Sequence, residues 1–460
     1  MSPAEPVRTA PAAPRYDIAN LQTDLGDIPL VTDTTSVRRR SRDYFWYSPI
    51  LNAELHGLSA DIVAVPRNEA DVIRIVAACV RRRIPITPRG AATGNYGQAV
   101  PLAGGLLLDL SNMTRILWHK PGVVRVEVGA RMVDMDTLLR PTGFELRMHP
   151  STKRMATIGG FVAGGSGGIG SITYGGLREP GNIIAARVIT CEETPRVIEL
   201  RGDAAQKVNR AYGTTGIITE LEMPLAPAWP WIDVLITFED FYEAVQVGHE
   251  LALADGIVKK LITPMMWPLP GYFTGIKAQC PDGRHVLVCM IAESSLESFK
   301  ALLAGRGRIG IETSSDDGAA NTPLYEYTWN HTTLQVLKSD RTVTYLQCLY
   351  PHDRLMECVK QMTEMFPDEV IPHLEFIRFA GRVTASALPV VRFTTADRLN
   401  AIIRLHEANG VFIANPHVYT LEDGSRHKRA DADQAGFKRE VDPHGLLNPG
   451  KMRTYVPVRA

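Results

Sequence analysis

The sequence predicts an α+β protein in which a glycine-rich, ligand-binding domain is followed by a second domain built from a repeated unit. Three observations support this prediction. Apolar patterns typical of strands and helices alternate from residue 62 onward, and two glycine-rich loops interrupt them at 88–101 and 150–182. After the proline-rich stretch 224–231, which indicates a domain boundary, the order β-α-β-β-α-β occurs twice.

The composition argues against several classes of protein. The chain has 460 residues, with 50 basic and 50 acidic side chains. This length can bury enough apolar surface for two or three domains, and the absence of net positive charge argues against a nucleic-acid partner. The first sixteen residues lack the apolar core of a secretion signal, and no stretch reaches the length of a membrane span. We therefore expect a loose N-terminal tail and a soluble cytoplasmic protein. The six cysteines are scattered without a C-x-x-C pair, which is typical of buried thiols in a reducing compartment.

The elements of the first domain follow from apolar periodicity. Asn68 and Asp71 form a capping box before an apolar helical stripe, which ends at three arginines, 81–83. A second helix is predicted at 132–139. The predicted strands cover 62–66, 84–87, 105–110 and 123–130.

The second domain contains two copies of one unit. In the first copy we predict strands at 233–238, 256–263, 285–291 and near 309, with helices at 241–252 and 294–303. In the second copy we predict strands at 343–349, 371–379, 389–393 and 411–414, with helices at 353–365 and 395–408. This is the split order of a ferredoxin-like fold. Side by side, the two copies could form one antiparallel sheet with helices on one face.

The glycine loops indicate a ligand with a diphosphate. Glycine lets backbone N–H groups approach a ligand closely, and consecutive N–H groups bind anions. Gly165, Gly167 and Gly170 formally spell G-x-G-x-x-G. A Rossmann motif, however, needs a preceding strand and a helix that opens on the third glycine, whereas two further glycines and a proline follow Gly170. We therefore reject a Rossmann fold, and a P-loop is excluded because no G-K-[ST] follows. Two such loops about sixty residues apart instead suggest one extended ligand.

Four motifs resemble a known family of flavoproteins. They are P-R-G-A-A-T-G-N at 88–95, T-I-G-G-F-V-A-G-G-S-G-G-I-G-S at 157–171, Y-G-T-T-G-I-I-T at 212–219 and D-P-H-G-L-L-N-P-G-K-M at 442–452. In this order they are similar to the vanillyl-alcohol-oxidase/p-cresol-methylhydroxylase (PCMH-type) superfamily of FAD enzymes. The last motif is similar to the ending of the D-lactate and glycolate dehydrogenase branch, whose tail folds back onto the flavin domain.

The resemblance implies FAD bound between two α+β subdomains and covered by the tandem ferredoxin-like units as a cap. It divides the chain into a lead-in at 1–55, an FAD-binding domain at 56–227, a cap at 228–420 and a returning segment at 421–460. The implied cofactor-binding residues lie in the two glycine loops, the 212–219 motif and the tail. They are Pro88, Arg89, Gly90, Ala91, Ala92, Thr93, Gly94, Asn95, Pro150, Ser151, Thr152, Thr157, Ile158, Gly159, Gly160, Ala163, Gly164, Gly167, Gly168, Ile169, Gly170, Ser171, Tyr174, Gly216, Ile217, Ile218, Asn448 and Lys451.

Departures from the family's motifs bear on the subtype. Members that attach FAD covalently usually carry a histidine in the first loop and often a cysteine in the second region, and this chain has neither. We expect non-covalent FAD, unless a histidine of the cap is the anchor. The metal-binding motif E-H-G-[IV]-G is also absent, so we predict no metal, although His373 and His417 could still pair on one. Ala92 lies near the position at which some relatives use alanine to restrict oxygen access, which favours a dehydrogenase over an oxidase.

Candidate catalytic residues are histidines, tyrosines and carboxylates of the cap, because hydride removal from an alcohol needs a base for the hydroxyl proton. His417 and Tyr419, where the chain re-enters the flavin domain, are the first choice. His373 and Glu375 share one face of a predicted strand and could orient each other towards a pocket, or could form a surface pair.

Further cap residues are candidates for binding the substrate. Tyr325, Tyr327, Trp329 and His331 alternate onto one face in the sequence, where they would line a pocket or form cap core; His331 is also a catalytic candidate. Arg378 or Arg392 could hold a carboxylate.

The sequence predicts an FAD-dependent dehydrogenase that acts on a CH–OH or related C–H centre of a small organic molecule and uses an acceptor other than oxygen, either a protein or a quinone-like molecule. Alternatives are an NAD(P)H-dependent reductase of a C=C bond, an FAD oxidase that uses oxygen, and a flavin-binding subunit that needs a partner chain. Two copies could also pair as a homodimer.

Overall fold

The computed structural model describes residues 16–165, 167–315, 322–422 and 432–455. The predicted loose tail falls almost wholly on residues 1–15, which lie outside the described residues. Within the described ranges, none of the helices is both long and apolar enough to cross a membrane. The six cysteines are free thiols in the protein interior, as predicted.

The lead-in from residue 16 to 55 is folded, which the sequence did not predict. It contains helices α1 (Ile18–Leu25), α2 (Thr34–Arg40) and α3 (Pro49–Leu55) and the short strand β1 (Leu30–Val31). Each helix begins at a residue whose side chain accepts a backbone N–H of the first turn: Asp17, Asp33 and Ser48.

The first sheet has four strands in the order β1-β2-β4-β3. Its further strands are β2 (Ile62–Ala64), β3 (Ile86–Arg89) and β4 (Leu106–Asp109), which run parallel to one another, and β1 is antiparallel to β2. Helix α4 (Glu69–Arg81) connects β2 to β3. It begins at the predicted cap, Asn68, whose side chain accepts the N–H of Asp71. The first glycine loop starts at the carboxyl end of β3, the end of a parallel sheet at which ligands usually bind.

The second sheet is antiparallel, with the order β5-β6-β10-β8-β9, and β7 pairs with the end of β10. Its strands are β5 (Ile116–Lys120), β6 (Val123–Glu127), β7 (Phe144–Leu146), β8 (Ala185–Ile189), β9 (Val197–Arg201) and β10 (Ile217–Pro227), and its helices are α5 (Met132–Leu139), α6 (Ile158–Gly164) and α7 (Ser171–Tyr174). One apolar core joins both sheets, from Ile62 and Val76 to Val126 and Ile189, and includes Leu447 of the C-terminal segment.

Two of these helices correct the prediction of a continuous loop. Helix α6 lies inside the glycine tract, where Thr157 caps its first turn and Gly165, at φ +67°, ends it. Its buried residues Ile158, Phe161 and Val162 supply the apolar face. Helix α7 opens directly after Gly170, where the sequence predicted no helix. Asn182 stabilises its end by donating to the Tyr174 carbonyl at 2.7 Å.

The first cap unit has the predicted ferredoxin-like topology. Its elements are β11 (Trp231–Phe238), α8 (Phe241–Leu253), β12 (Lys259–Met265), β13 (His285–Ala292), α9 (Leu296–Leu303) and β14 (Arg308–Ser314). The strand order β12-β13-β11-β14 is antiparallel throughout.

The second cap unit has the same topology, with its first three strands broken in two. After α10 (Asn330–Leu337), its elements are β15 (Val343–Tyr345), β16 (Cys348–Leu349), α11 (Leu355–Met365), β17 (Val370–Ile371), β18 (Leu374–Phe379), β19 (Arg382–Ala387), β20 (Val390–Arg392), α12 (Ala396–Ala408) and β21 (Phe412–Ile413). One sheet has the order β18-β19-β16-β21, and the other halves form β15-β20-β17. The sequence missed β19. This strand begins after a tight turn at Ala380 and Gly381, both at positive φ.

The two cap units do not form the single continuous sheet that we expected. They meet edge to edge at β12 and β18, where one isolated bridge joins Met265 to His373. The Met266 N–H also donates to the Pro372 carbonyl at 3.0 Å. The C-terminal segment adds α13 (Ala432–Val441) and then returns to the first sheet. There the Ile86 N–H donates to the Leu446 carbonyl at 2.8 Å. The three boundaries between the four predicted segments stay predictions.

Candidate functional site

A cavity of about 490 Å³ lies where the loops of the first domain meet the cap. This volume is within the range of small-molecule and cofactor sites, about 300–1,000 Å³. Nineteen of the twenty-eight predicted cofactor residues line it. They are Pro88, Arg89, Gly90, Ala91, Ala92, Thr93, Gly94, Asn95, Pro150, Ser151, Thr152, Thr157, Gly159, Gly160, Ala163, Gly164, Gly167, Gly216 and Ile218. The two glycine loops therefore face one common space, as the sequence predicted.

The other nine predicted cofactor residues do not line the cavity: Ile158, Gly168, Ile169, Gly170, Ser171, Tyr174, Ile217, Asn448 and Lys451. The three isoleucines are fully buried in the core. Gly168 and Gly170 allow close backbone packing, because an added Cβ would lie 2.2 Å from the His149 carbonyl oxygen or 2.0 Å from that of Arg147. These positions need glycine for the fold, which corrects our assignment of the whole tract to ligand binding.

Three glycines of the second loop line the cavity and form what we call the glycine cradle: Gly160, Gly164 and Gly167. A Cβ added to Gly167 would meet Ser171 Oγ at 3.0 Å and the Trp329 ring at 3.5 Å. A Cβ added to Gly164 would meet no protein atom within 4 Å, and one added to Gly160 would meet only the Thr157 hydroxyl, at 3.0 Å. Because all three line the cavity, side chains here would occupy space that a ligand can use. The glycine cradle fits a bulky cofactor.

The first glycine loop lines the cavity, contacts the second loop and contains a residue with a strained backbone. A Cβ on Gly90 would lie 2.1 Å from Thr157 Oγ1, so the two loops touch at this point. Ala92 adopts φ 53°, a conformation that costs energy in a residue with a Cβ and that is common at functional sites. Arg89 brings a cation to the cavity wall. Its guanidinium donates to the carbonyls of Arg40 and Gly90, and burial lowers its pKa.

Residues from both ends of the chain hold the far side of this loop. The Tyr44 N–H donates to the Gly94 carbonyl at 2.8 Å, and the Asp43 carboxylate accepts the Ala99 N–H at 3.2 Å. From the tail, Asn448 Nδ2 donates to the Gln98 carbonyl at 2.9 Å, and Lys451 Nζ donates to the Gly97 carbonyl. The two tail residues predicted to bind the cofactor therefore support the loop from behind.

Two of these supporting groups are ionisable and fully buried. Burial raises the pKa of Asp43 to about 6, although the charge of Lys451 opposes this shift. Burial lowers the pKa of Lys451 to about 7, against the attraction of Asp43. Asp43 also lines the cavity.

The cap closes the cavity with Trp329, Asn330, His331 and Leu334, at the start of helix α10. Among the described residues that line the cavity, His331 is the one histidine. Burial lowers its pKa to about 4, against a hydrogen bond to the Glu326 backbone that favours the charged form. The imidazole is therefore neutral at physiological pH and can accept a proton.

An ion pair joins the two domains beside His331. Arg154, in the loop before α6, places its Nε 2.7 Å from Glu326 Oε1 of the cap, and both residues line the cavity. The Arg154 side chain is 42% exposed and that of Glu326 is 20% exposed. A guanidinium that is exposed to this extent can bind the carboxylate of a ligand.

His417 and Tyr419 do not line the cavity, which corrects their choice as acid–base residues. His417 Nε2 lies 2.9 Å from the Tyr345 carbonyl, and Nδ1 lies 2.8 Å from Ser48 Oγ. Because a carbonyl only accepts, Nε2 carries the proton and Nδ1 accepts from the Ser48 hydroxyl. Tyr419 packs against Lys451, whose Nζ lies 5.0 Å from the centroid of the tyrosine ring. Both residues join the tail and the cap to the lead-in.

His373 and Glu375 do orient each other, with 2.8 Å between Nε2 and Oε1. The pair is fully buried behind the cavity wall and lies neither on the surface nor in the pocket. Glu375 accepts the backbone N–H of Trp329 at 2.6 Å. His373 and His417 bond to separate partners. The described residues contain no group of three or more His, Cys, Asp or Glu side chains suited to a metal ion.

Of the residues predicted to bind the substrate, Trp329 and His331 line the cavity, whereas Tyr325, Tyr327 and Arg378 do not. The segment that we expected to alternate as a strand is a 3-10 helix, Leu324–Tyr327. As a result, Tyr325 packs on His149 at 4.9 Å and Tyr327 on Phe273 at 5.1 Å, inside the core. Arg378 pairs with Asp255 outside the cavity.

Several cavity residues were missed by the sequence analysis. The run Asp43, Tyr44 and Tyr47 comes from the lead-in, and Tyr96 and Gln347 meet through a hydrogen bond between the first loop and the cap. A dense aromatic run, D-Y-F-W-Y at 43–47, was the available signal for the lead-in. Arg154 and Tyr212 lay inside or beside the motifs but were not selected.

The cavity is lined by two cations, Arg89 and Arg154, by glycine backbone and by the imidazole of His331. These features suit an extended anionic cofactor with a reactive group next to a base.

Comparisons with known proteins agree with this geometry. Residues 60–198 match the family model described as an FAD binding domain. The chain is 32% identical over 431 residues to the glycolate oxidase subunit GlcD of Bacillus subtilis (strain 168), with 85% of this chain and 88% of the relative covered. It is 29% identical over 198 residues to a D-lactate dehydrogenase of Anaerostipes hadrus, a match that covers 40% of each chain.

A solved structure shares the fold. An alkyldihydroxyacetonephosphate synthase superposes with a TM-score of 0.69 at 15% identity, covering 92% of this chain and 82% of that one. FAD is therefore the cofactor of this protein. The match to a glycolate oxidase subunit, which covers 85% of this chain and 88% of the relative, shows that this chain belongs to the PCMH-type FAD-linked oxidoreductase family.

Proposed function

We propose that this oxidoreductase is a dehydrogenase of a small 2-hydroxy acid, and that it passes electrons to a protein or quinone-like acceptor rather than to oxygen. Bound FAD supplies the hydride acceptor. The observation that carries the proposal is the position of His331, the one histidine among the described residues that line the cavity, in the same cavity as the glycine cradle. Two relatives bear the names of enzymes for glycolate and D-lactate, both of which are 2-hydroxy acids.

His331 would accept the proton of the hydroxyl group while the carbon that bears this group loses its hydride. A base must be unprotonated and within reach of the substrate, and the lowered pKa of His331 meets the first requirement. The neighbouring Asn330, which also lines the cavity, could orient the hydroxyl group by hydrogen bonding.

Arg154 would bind the carboxylate of the substrate, the role that we had first assigned to Arg378. It is the cavity-lining cation nearest in sequence to the cradle, and its contact with Glu326 keeps the guanidinium beside the cap wall. On substrate binding the carboxylate would replace Glu326 as its partner, since both are carboxylates of the same geometry.

Two further points of the proposal concern the cofactor. FAD would be non-covalent, because among the described residues no cysteine lines the cavity, and the one histidine that does, His331, would serve as the base rather than as the anchor. Yellow protein after acid precipitation would contradict this. Ala92 would restrict oxygen, since it faces the cavity from a strained backbone.

The test is anaerobic bleaching of the flavin absorption by a panel of hydroxy acids, aromatic alcohols and sugar lactones. We expect 2-hydroxy acids to bleach the wild-type enzyme. His331→Gln should bind FAD normally but bleach at least about a hundredfold more slowly, the usual scale of lost acid–base catalysis. The matched control is His352→Gln, at an exposed position of the cap outside the cavity, which should bleach like wild type.

Two outcomes would reject the proposal. Bleaching by NADPH, without bleaching by any hydroxy acid, would indicate the reductase of a C=C bond. Rapid reoxidation of the reduced enzyme by air would indicate an oxidase.

A further inference from the structure

Trp329 has a backbone conformation that normally requires glycine. Its φ is 52° and its ψ is −138°, close to the first central position of a type II′ turn. A bulky residue with positive φ is a rare outlier and persists only where its surroundings hold it. Such outliers cluster at functional sites, and Trp329 lines the cavity.

A buried carboxylate holds this conformation. Glu375, which is 1% exposed, accepts the Trp329 backbone N–H at 2.6 Å. Its other oxygen accepts the hydroxyl of Thr263, and His373 Nε2 lies 2.8 Å from the oxygen that faces Trp329. Leaving a buried backbone N–H without a partner is costly, so this contact can offset the backbone strain.

The indole ring projects from the cap onto the glycine cradle. Its outer atom Cη2 would lie 3.5 Å from a Cβ on Gly167. The ring is 8% exposed, and its Nε1–H is buried without a partner among the described residues. The ring therefore forms part of the cavity wall beside the cradle.

We propose that Trp329 is the specificity-determining wall of the substrate end of the cavity, and that Glu375 is a positioning residue that holds Trp329 there. With respect to the substrate this rests on the proposed function. The wall admits 2-hydroxy acids with small side chains and excludes bulky ones. His373 and Glu375, first considered catalytic, act through Trp329 and do not touch the substrate.

The first experiment compares kcat/KM for D-lactate and D-3-phenyllactate. Trp329→Ala should shift the ratio towards phenyllactate by about tenfold or more, a typical effect of one altered contact in an apolar pocket. Glu375→Leu should shift it in the same direction. Glu375→Gln keeps an acceptor oxygen and should stay near wild type. The control is Glu222→Gln, a buried carboxylate paired with Arg125 and Arg201 outside the cavity, which should not change the ratio.

The second experiment needs no substrate. The FAD dissociation constant and the flavin absorption maximum are measured for Trp329→Ala, Glu375→Leu and the double variant. If Glu375 acts through Trp329, Glu375→Leu should have no further effect once the ring is absent. Additive effects would overturn the positioning role, and an unchanged substrate ratio in Trp329→Ala would overturn the specificity role.

A substitute variant and the substrate-free comparison cover the two ways in which these experiments could fail. If Glu375→Leu does not fold, Thr263→Val removes one donor to the same carboxylate and should move both readouts in the same direction; no movement would count against the proposal. If no hydroxy acid bleaches the wild-type flavin, the proposed function fails, while the double-variant comparison still decides whether Glu375 acts through Trp329.

Discussion

Glycine has two roles in this protein: it lets a ligand approach the backbone, or it allows close packing within the fold. A substitution at Gly164 distinguishes the two roles. Gly164 is the last residue of helix α6 and lines the cavity, and an added Cβ would meet no protein atom within 4 Å. Gly164→Ala should therefore stabilise the FAD-free protein slightly, by about 0.5–1 kcal/mol, because alanine favours a helix more than glycine does.

The same methyl group would enter the space of the cofactor. Overpacking costs about 1–3 kcal/mol, which corresponds to FAD binding about 5- to 150-fold weaker. Gly164→Val, with more volume, should bind still more weakly. The dissociation constant is measured by titrating FAD into the apoprotein, and the stability by its denaturation in urea without FAD.

The matched control for this experiment is Gly176→Ala. Gly176 belongs to the same glycine-rich stretch, has open space around its Cα, and does not line the cavity. Its FAD affinity should equal that of wild type. Wild-type affinity in Gly164→Ala, together with the expected gain in stability, would refute the assignment of the cradle to the cofactor.

Four further predictions test other parts of the site. Gly168→Ala should destabilise folding by about 1–3 kcal/mol in urea denaturation, because its Cβ would lie 2.2 Å from a backbone oxygen. Lys451→Met should weaken FAD binding about tenfold in titrations, since it removes a buried donor that holds the first loop; unchanged binding would contradict this support. Burial lowers the pKa of His331 to about 4, and the neutral form is the base, so anaerobic bleaching should stay constant as the pH falls from neutrality and decline only near pH 4; a decline near the ordinary histidine pKa would contradict this. Ala92→Gly relieves a positive φ and should speed reoxidation of the reduced enzyme by air, followed by stopped-flow absorbance; an unchanged rate would remove Ala92 as an oxygen barrier.

Much of the fold was predictable because its signals are local. The repeated cap units were visible from alternating apolar strands and helical stripes, and α5 has the predicted bounds. Strand β19 was missed because its sequence, R-V-T-A-S-A, is mostly small and polar, although its second half is buried against neighbouring strands. Helix α6 was missed because its glycines lower helix propensity, while tertiary packing of its apolar face stabilises it.

The site was predictable where glycine backbone lines the cavity and less so where side chains that are distant in sequence meet. The glycine loops identified most of the flavin-domain wall. By contrast, Tyr44 reaches the first loop from the lead-in, and Gln347 reaches it from the cap, so neither contact has a local signal. His417 lies next to the re-entry point in sequence, yet hydrogen bonds to Ser48 and Tyr345 occupy both of its ring nitrogens.

The central claim is that a 2-hydroxy acid loses its C2 hydrogen as hydride inside this cavity. The most direct measurement is the anaerobic rate of flavin bleaching by the effective 2-hydroxy acid and by the same acid carrying deuterium at C2. We predict slower bleaching with the deuterated substrate in the wild-type enzyme and a severely reduced rate for both substrates in His331→Gln. Equal rates for the two isotopes together with wild-type bleaching in His331→Gln, or bleaching by NADPH alone, would contradict the account.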